Sequence, residues 1–198
     1  PLLKKRQAAP GTLIDIGDID ALRGIERSDT AVRVGALTTH REITESDRLE
    51  TAVPILPAAV SKITGGIQVH NVATIGGNIS RAHPAYDYPG ALLAAGASIN
   101  IAGPDGEHTV PAEDFFRGVC STCLGDTQLV TGVEIPTVDG HRRGGYAKRK
   151  EPASGGAVLG VASDLVLEGP EQNRVRSVRI AANGLCGSAV RIKAAEDV

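Results

Sequence analysis

Two adjacent glycines, Gly76 and Gly77, sit in the run Ala73-Thr74-Ile75-Gly76-Gly77-Asn78-Ile79. Without Cβ atoms, the backbone there can approach a ligand closely. Successive exposed N–H groups at such a bend form a nest for an anion, and a pyrophosphate suits it. The Thr74 hydroxyl and the Asn78 amide add hydrogen bonds. The same run also reads as a plain turn or bulge between buried strands, because short glycine motifs are weak signals. Neither Gly-x-Gly-x-x-Gly nor Gly-Lys-Ser/Thr occurs, so a dinucleotide fingerprint and a P-loop are excluded. Cys120-Ser121-Thr122-Cys123 is a C-x-x-C pair, but a structural zinc or an iron–sulfur cluster needs four ligands. Cys186 alone remains, so these read as incidental loop cysteines. His40, His70, His83, His108 and His141 show no ligand spacing. Arg142, Arg143, Lys148, Arg149 and Lys150 form a basic cluster, for which a solvated face is the ordinary reading.

The elements that must position these groups are legible from pattern. Leu13-Ile14-Asp15-Ile16 alternates and reads as a short strand, and Val32–Ala36 reads as another. Thr39 stands three residues before Glu42, a capping box that opens a helix over 40–46. Apolar residues at 56, 59, 60 and 63 have helical spacing, and Gly65-Gly66 stops that helix. Residues 67–79 carry the glycine loop. Pro89–Ala95 reads as a short helix. Ser98–Ala102 and His108–Val110 flank Gly103-Pro104-Asp105-Gly106, a strong hairpin signal. Leu129–Ile135 is a strand closed by Pro136, and the polar Asp139–Gly145 stretch marks a boundary. Ala157–Leu167 and Val175–Ile180 form a strand pair across the turn Glu168-Gly169-Pro170. Helices mixed with prominent antiparallel hairpins make the fold class α+β.

Composition narrows the function. Of 198 residues 41% are apolar and 3% aromatic, so a sizeable core must rest on Val, Ile, Leu and Ala. A net charge of −2 gives no reason to expect nucleic acid or an anionic membrane as partner. No apolar run reaches the length of a membrane span, and an odd count of three cysteines argues against a secreted disulfide framework. The expectation is a cytoplasmic protein. Met is absent, even from position 1, so the chain reads as a processed or partial polypeptide.

The glycine run has informative surroundings. Gln68–Ile79, Pro84–Pro89 with Ala91–Ala94, Thr109–Gly118 and Val133–Pro136 follow one another in order. So do Tyr146-Ala147-Lys148, Pro152-Ala153-Ser154-Gly155 and Val158–Ala162, with Pro1-Leu2-Leu3-Lys4 and Val34–Thr39 upstream. Together they resemble the flavoprotein subunits of the xanthine dehydrogenase and carbon monoxide dehydrogenase family, the molybdenum hydroxylases. The resemblance implies part of a vanillyl-alcohol-oxidase-type FAD-binding domain over 1–138. The start of a smaller α+β C-terminal domain would follow over 139–198. It implies FAD as cofactor, with Ala73, Thr74, Ile75, Gly76, Gly77 and Asn78 at its pyrophosphate. Asp87 would approach the cofactor's polar chain, Thr64 and Val130 would touch it, and Lys148 would stand near the isoalloxazine. Each has an ordinary alternative: Asp87 as a turn or helix cap, Val130 as core, Lys148 as part of the charged face. That face also suits a partner subunit or an anionic electron acceptor.

The implied function is electron transfer. Substrate is hydroxylated at molybdenum in a large subunit, and electrons cross the [2Fe–2S] clusters of a small subunit to FAD. They then leave to NAD, oxygen, a quinone or another acceptor. No residue of this chain need be catalytic. Two departures stand out. An upstream Ala-Gly-Gly-type loop that completes the pyrophosphate grip in the family is absent, and Gly156 replaces a bulky aromatic found in many relatives, which leaves the flavin more open. An FAD-free structural or assembly piece, and another flavin reductase of the same fold, are the alternatives.

Overall fold

The structure, a computed structural model, describes Arg6, residues 8–169, Glu171 and residues 173–197. The run Pro1-Leu2-Leu3-Lys4 and the turn residue Pro170 lie outside the described residues.

The first described strand is the short β1 (Ile25–Arg27), followed by β2 (Ala31–Gly35). Five helices then run in succession, α1 (His40–Thr44), α2 (Asp47–Ala52), α3 (Ile55–Val60), α4 (Gly66–Val72) and α5 (Ile75–Arg81), and α6 (Tyr88–Ala95) completes the series. The hairpin β3 (Ser98–Gly103) and β4 (Gly106–Pro111) leads through the one-turn α7 (Ala112–Phe115) to β5 (Phe116–Gly118) and β6 (Ser121–Thr122). Four strands follow, β7 (Leu129–Pro136), β8 (His141–Lys150), β9 (Ala157–Glu168) and β10 (Arg174–Asn183), and then a two-residue β11 (Val190–Arg191). One antiparallel sheet has the order β1-β2-β7-β3-β4, and a second has the order β11-β10-β9-β8.

α6 explains how the two sheets share one core. Its sequence, Tyr-Pro-Gly-Ala-Leu-Leu-Ala-Ala, is apolar all round, and all of its residues are buried. A helix of that kind has no face for water. It packs on α3, β7, β9 and β10. Pro89 lies in its first turn and Gly96 closes it at φ +67, the usual asymmetry of helix ends. The buried cluster runs continuously from Val34 and Val133 in the first sheet through Leu92 to Ala162 and Ala181 in the second.

Several sequence expectations need correction. Leu13–Ile16 is not a strand: Leu13 and Ile14 are 72% and 83% exposed, and no described strand pairs with them. Two alternating apolar residues cannot hold a strand without a neighbour. The helix opened by the capping box ends at Thr44, and the Ser46 side chain caps a separate helix, α2. Gly65-Gly66 does more than stop α3. Gly65, at φ +118, is the N-cap of α4, so residues 67–72 are helical and not part of a loop. Residues 141–145 begin a ten-residue strand of the second sheet.

That strand is held by a buried ion pair. Arg142 Nε stands 2.8 Å from Asp164 Oδ1, with both side chains about 95% or more buried. The guanidinium also donates to the carbonyls of Pro136 and Ala95, tying β8 to β7 and α6. Asp164→Leu is expected to destabilise the protein by about 3 kcal/mol, because it strands a buried cation. Urea unfolding measures this. The double variant Arg142→Met/Asp164→Leu should regain most of the loss, as the charge itself is then gone.

Candidate functional site

Short connections between helices bring one wall of a cavity of about 510 Å³ together. Ile63 and Thr64 follow α3, and Val69 and Val72 come from α4. Ala73 and Thr74 link α4 to α5, whose first turn contributes Gly77 and Asn78. Ala85, Tyr86 and Asp87 lead into α6, Lys148 comes from β8, and Ser154-Gly155-Gly156 closes the far side. His40, at the start of α1, also lines it.

The glycine run departs from its sequence reading. It is the N-terminus of a helix docked on the end of β2. Thr74 is the N-cap, its Oγ1 accepting from Gly77 N at 3.2 Å. Ile75 N donates to Thr38 O, Gly76 N to Ala36 O and Asn78 N to Thr74 O. The expected nest of free N–H groups is therefore not formed, because each already has an acceptor. A Cβ on Gly76 would meet Ala36 O and Ala36 Cβ at 2.7 Å, so its missing side chain serves helix docking. Ile75 and Gly76 are buried in the core and do not line the cavity. Gly77 does, and a Cβ there would meet only Thr74 Oγ1, at 3.3 Å.

Of the sequence candidates, Thr64, Ala73, Thr74, Gly77, Asn78, Asp87 and Lys148 converge on the cavity. Ile75, Gly76 and Val130 do not. Val130 is a buried β7 residue paired with Ile101, away from the cavity lining. Gly155, at φ +70, packs on Thr64, where a Cβ would meet Oγ1 at 2.5 Å. Gly156 lines the cavity beside Ala85, whose Cβ a side chain would meet at 3.3 Å.

Asp87 and Lys148 form the polar floor. Lys148 Nζ lies 2.8 Å from Asp87 Oδ2, with side chains 5% and 4% exposed, and it also donates to Lys62 O. The basic cluster thus divides: Lys148 is buried and paired, whereas Arg143, Arg149 and Lys150 are exposed. Tyr146 Oη donates to Asp87 Oδ1 at 2.7 Å and lies 3.0 Å from the Asn183 amide. A phenol has one proton, and Asp87 accepts it, so Asn183 serves Tyr146 best with its NH2 group turned toward it. Burial and the Asp87 charge push the Tyr146 pKa far up, so it stays a donor. Space for this contact comes from Gly160, whose Cβ would lie 2.0 Å from Tyr146 Oη, and Gly90, whose Cβ would lie 2.6 Å from Asn183 Oδ1. Sequence reading misses Tyr146, Asn183 and His40. One signal is available: residues 146 and 148 are two apart on a strand and share a face.

His40 and Tyr88 form a second buried pair. Tyr88 Oη lies 3.0 Å from His40 Nδ1, and the His70 ring meets His40 edge-on at 5.8 Å. Burial, and then the neighbouring His70, lower the His40 pKa from 6.5 to about 4. Between those values the unfolded chain binds a proton that the folded chain refuses, so acidification removes stability in that window. Thermal unfolding should show a loss from pH 6.5 toward 4 that His40→Gln reduces.

Asn78 Oδ1 is buried, has no hydrogen-bond donor among the described residues, and belongs to a cavity-lining residue. Buried acceptors are almost always satisfied, so this one calls for a ligand that brings a donor. The Thr74 hydroxyl still has its proton to give, and Lys148 supplies a cation. This donor and acceptor set fits a polar, polyhydroxylated ligand.

Residues 1–138 match the family described as FAD binding domain in molybdopterin dehydrogenase. The chain belongs to this family. Its matched segment carries every residue that lines the cavity except Lys148 and Ser154-Gly155-Gly156. The chain is 35% identical to the glyceraldehyde dehydrogenase medium chain of Sulfolobus acidocaldarius, over 93% of its own length and 64% of that protein. It is 34% identical to the carbon monoxide dehydrogenase medium chain of Hydrogenophaga pseudoflava, over 96% of its length and 65% of that protein. It therefore spans slightly under two thirds of these relatives. The solved carbon monoxide dehydrogenase of Hydrogenophaga pseudoflava superposes with a TM-score of 0.91 at 33% identity, covering 98% of this chain and 67% of that one. Quinoline 2-oxidoreductase from Pseudomonas putida 86 superposes with a TM-score of 0.89 at 27% identity, over 100% of this chain and 67% of that one. The fold is that of the FAD-binding subunits, and FAD is the cofactor of the family domain.

Proposed function

We propose that this chain is the FAD-binding part of an electron-transfer subunit in a molybdenum hydroxylase. Thr64, Ala73, Thr74, Gly77, Asn78, Asp87 and Lys148 would hold the cofactor. Residues 1–138 would be the FAD-binding domain and residues 139–198 the start of the C-terminal domain. The observation that carries this reading is that Asn78, whose buried Oδ1 is unpartnered among the described residues, lines a cavity built largely from the family's FAD-binding segment. The names of the relatives as medium chains support a complex with further subunits. On this reading these are a large molybdenum-cofactor subunit and a small [2Fe–2S] subunit, in a cytoplasmic heterotrimer. No described helix is long and apolar enough to cross a membrane.

Bound FAD would take up electrons and release them to an acceptor such as NAD, oxygen or a quinone. The chain's own residues supply binding and electrostatics. The Thr74 hydroxyl donates and Asn78 Oδ1 accepts. Lys148 places a positive charge at the cavity wall, held there by Asp87, while Tyr146 fixes the other oxygen of that carboxylate. Substrate is oxidised elsewhere in the complex.

Protein purified from its native source should contain flavin, molybdenum and iron together. Flavin without molybdenum or iron would favour a stand-alone flavin reductase of the same fold.

A further inference from the structure

One group on the cavity wall belongs to neither the glycine run nor the basic cluster. His40 N donates to Ala73 O at 3.0 Å, and the neighbouring Thr39 forms a β-bridge with Thr74. The backbone therefore sets the imidazole beside the Thr74–Gly77 turn. Its Nδ1 faces Tyr88 Oη, 3.0 Å away. Tyr88 is fully buried, and burial raises its pKa well above the ordinary value, so its hydroxyl keeps a proton that needs an acceptor. Among the described residues His40 Nδ1 is the only partner for that proton. Tyr88 therefore donates, Nδ1 accepts, and the proton of the neutral imidazole resides on Nε2. Nε2 has no partner among the described residues, and His40, though only 1% exposed, lines the cavity.

We infer that His40 is a further FAD-binding residue, a neutral imidazole held by Tyr88 in the Nε2–H form, which donates to an oxygen of the cofactor's diphosphate–ribityl chain. The inference rests on the FAD reading of the cavity. It assigns a division of labour within the site: Lys148 and Asp87 set the charge, while His40 offers a donor that carries none. Its pKa of about 4 leaves that donor unchanged across neutral pH. Tyr88 is a positioning residue, acting through the tautomer. His70, the other titratable ring against His40, is itself engaged, with Nε2 3.0 Å from Ile63 O.

The test is FAD titration of the intact, flavin-depleted protein, followed by quenching of flavin fluorescence. His40→Phe should weaken binding roughly tenfold, the effect of losing one hydrogen bond to a charged or strongly polar acceptor. His40→Gln, whose amide can donate, should stay within about threefold of wild type, less than half of that loss on a logarithmic scale. Wild-type affinity in His40→Phe, or equal weakening in both variants, overturns the inference. If His40→Phe does not fold, 15N NMR of the wild-type imidazole decides. A protonated Nε2 whose resonance moves on adding FAD supports the inference, and a protonated Nδ1 or an unmoved Nε2 overturns it. Tyr88→Phe should remove the tautomer preference in the same spectrum, which a merely structural Tyr88 would not do. Wild-type protein that binds no FAD instead defeats the cofactor reading itself.

Discussion

Asp87→Ala is expected to cost the fold about 3–5 kcal/mol and to abolish FAD retention. The carboxylate is nearly sealed, and both its oxygens are in use, one by Lys148 Nζ at 2.8 Å and one by Tyr146 Oη at 2.7 Å. Alanine leaves a buried ammonium with only the Lys62 carbonyl and a buried phenol whose proton has lost its acceptor. Removing one member of a buried pair strands the other, which costs more than the pair itself contributes. Asp87→Asn keeps the shape and one acceptor oxygen but not the charge, so it should lose less. Urea unfolding gives the stability change, and flavin released per chain gives retention. An Asp87→Ala protein with wild-type stability would show that the Asp87–Lys148–Tyr146 contacts do not hold β8 against α6.

Gly76→Val should lose both stability and flavin, whereas Gly77→Val should lose flavin at nearly unchanged stability. The two glycines are adjacent but have different surroundings. At Gly76 a Cβ lands 2.7 Å from the Ala36 carbonyl oxygen, and backbone at the end of β2 cannot step aside. Overpacking of this kind typically costs about 1–3 kcal/mol, and valine adds two methyl groups beyond the Cβ. The strain is relieved by lifting α5 off β2, which breaks the Gly76 N to Ala36 O bond and displaces the Thr74 cap. At Gly77 the added side chain meets little protein and enters the cavity. Thermal melts of the two variants beside their flavin content separate these cases. Equal melting temperatures for Gly76→Val and wild type would contradict the docked-helix geometry.

Legibility in the sequence follows the range of the interactions. The Thr39–Glu42 capping box, the β3–β4 hairpin and the apolar helix α6 are readable because each is specified by residues a few positions apart. β8 is not. Its sequence, His-Arg-Arg-Gly-Gly-Tyr-Ala-Lys-Arg-Lys, lacks apolar alternation, and its order comes from pairing along β9 and from Arg142 reaching Asp164. The glycine run stands out in the sequence, yet its conformation does not. Glycines suggest a loop, whereas here Gly65 opens one helix and Gly76 lets the next dock. Family resemblance brings Asp87 and Lys148 into view from separate stretches of chain. Tyr146 and Asn183 complete their contacts across 59 and 37 residues of sequence, a range that local patterns do not encode. His40 escapes notice because a lone histidine carries no spacing signal; its significance lies in Tyr88, Ala73 and the cavity it faces.

The central claim is that this cavity holds FAD, and flavin content tests it most directly. The intact protein, purified or incubated with FAD and then desalted, should retain about one FAD per chain, and Gly77→Val should retain essentially none while melting like wild type. Folded wild-type protein that stays colourless after incubation with FAD, or a Gly77→Val protein with full flavin content, would contradict it.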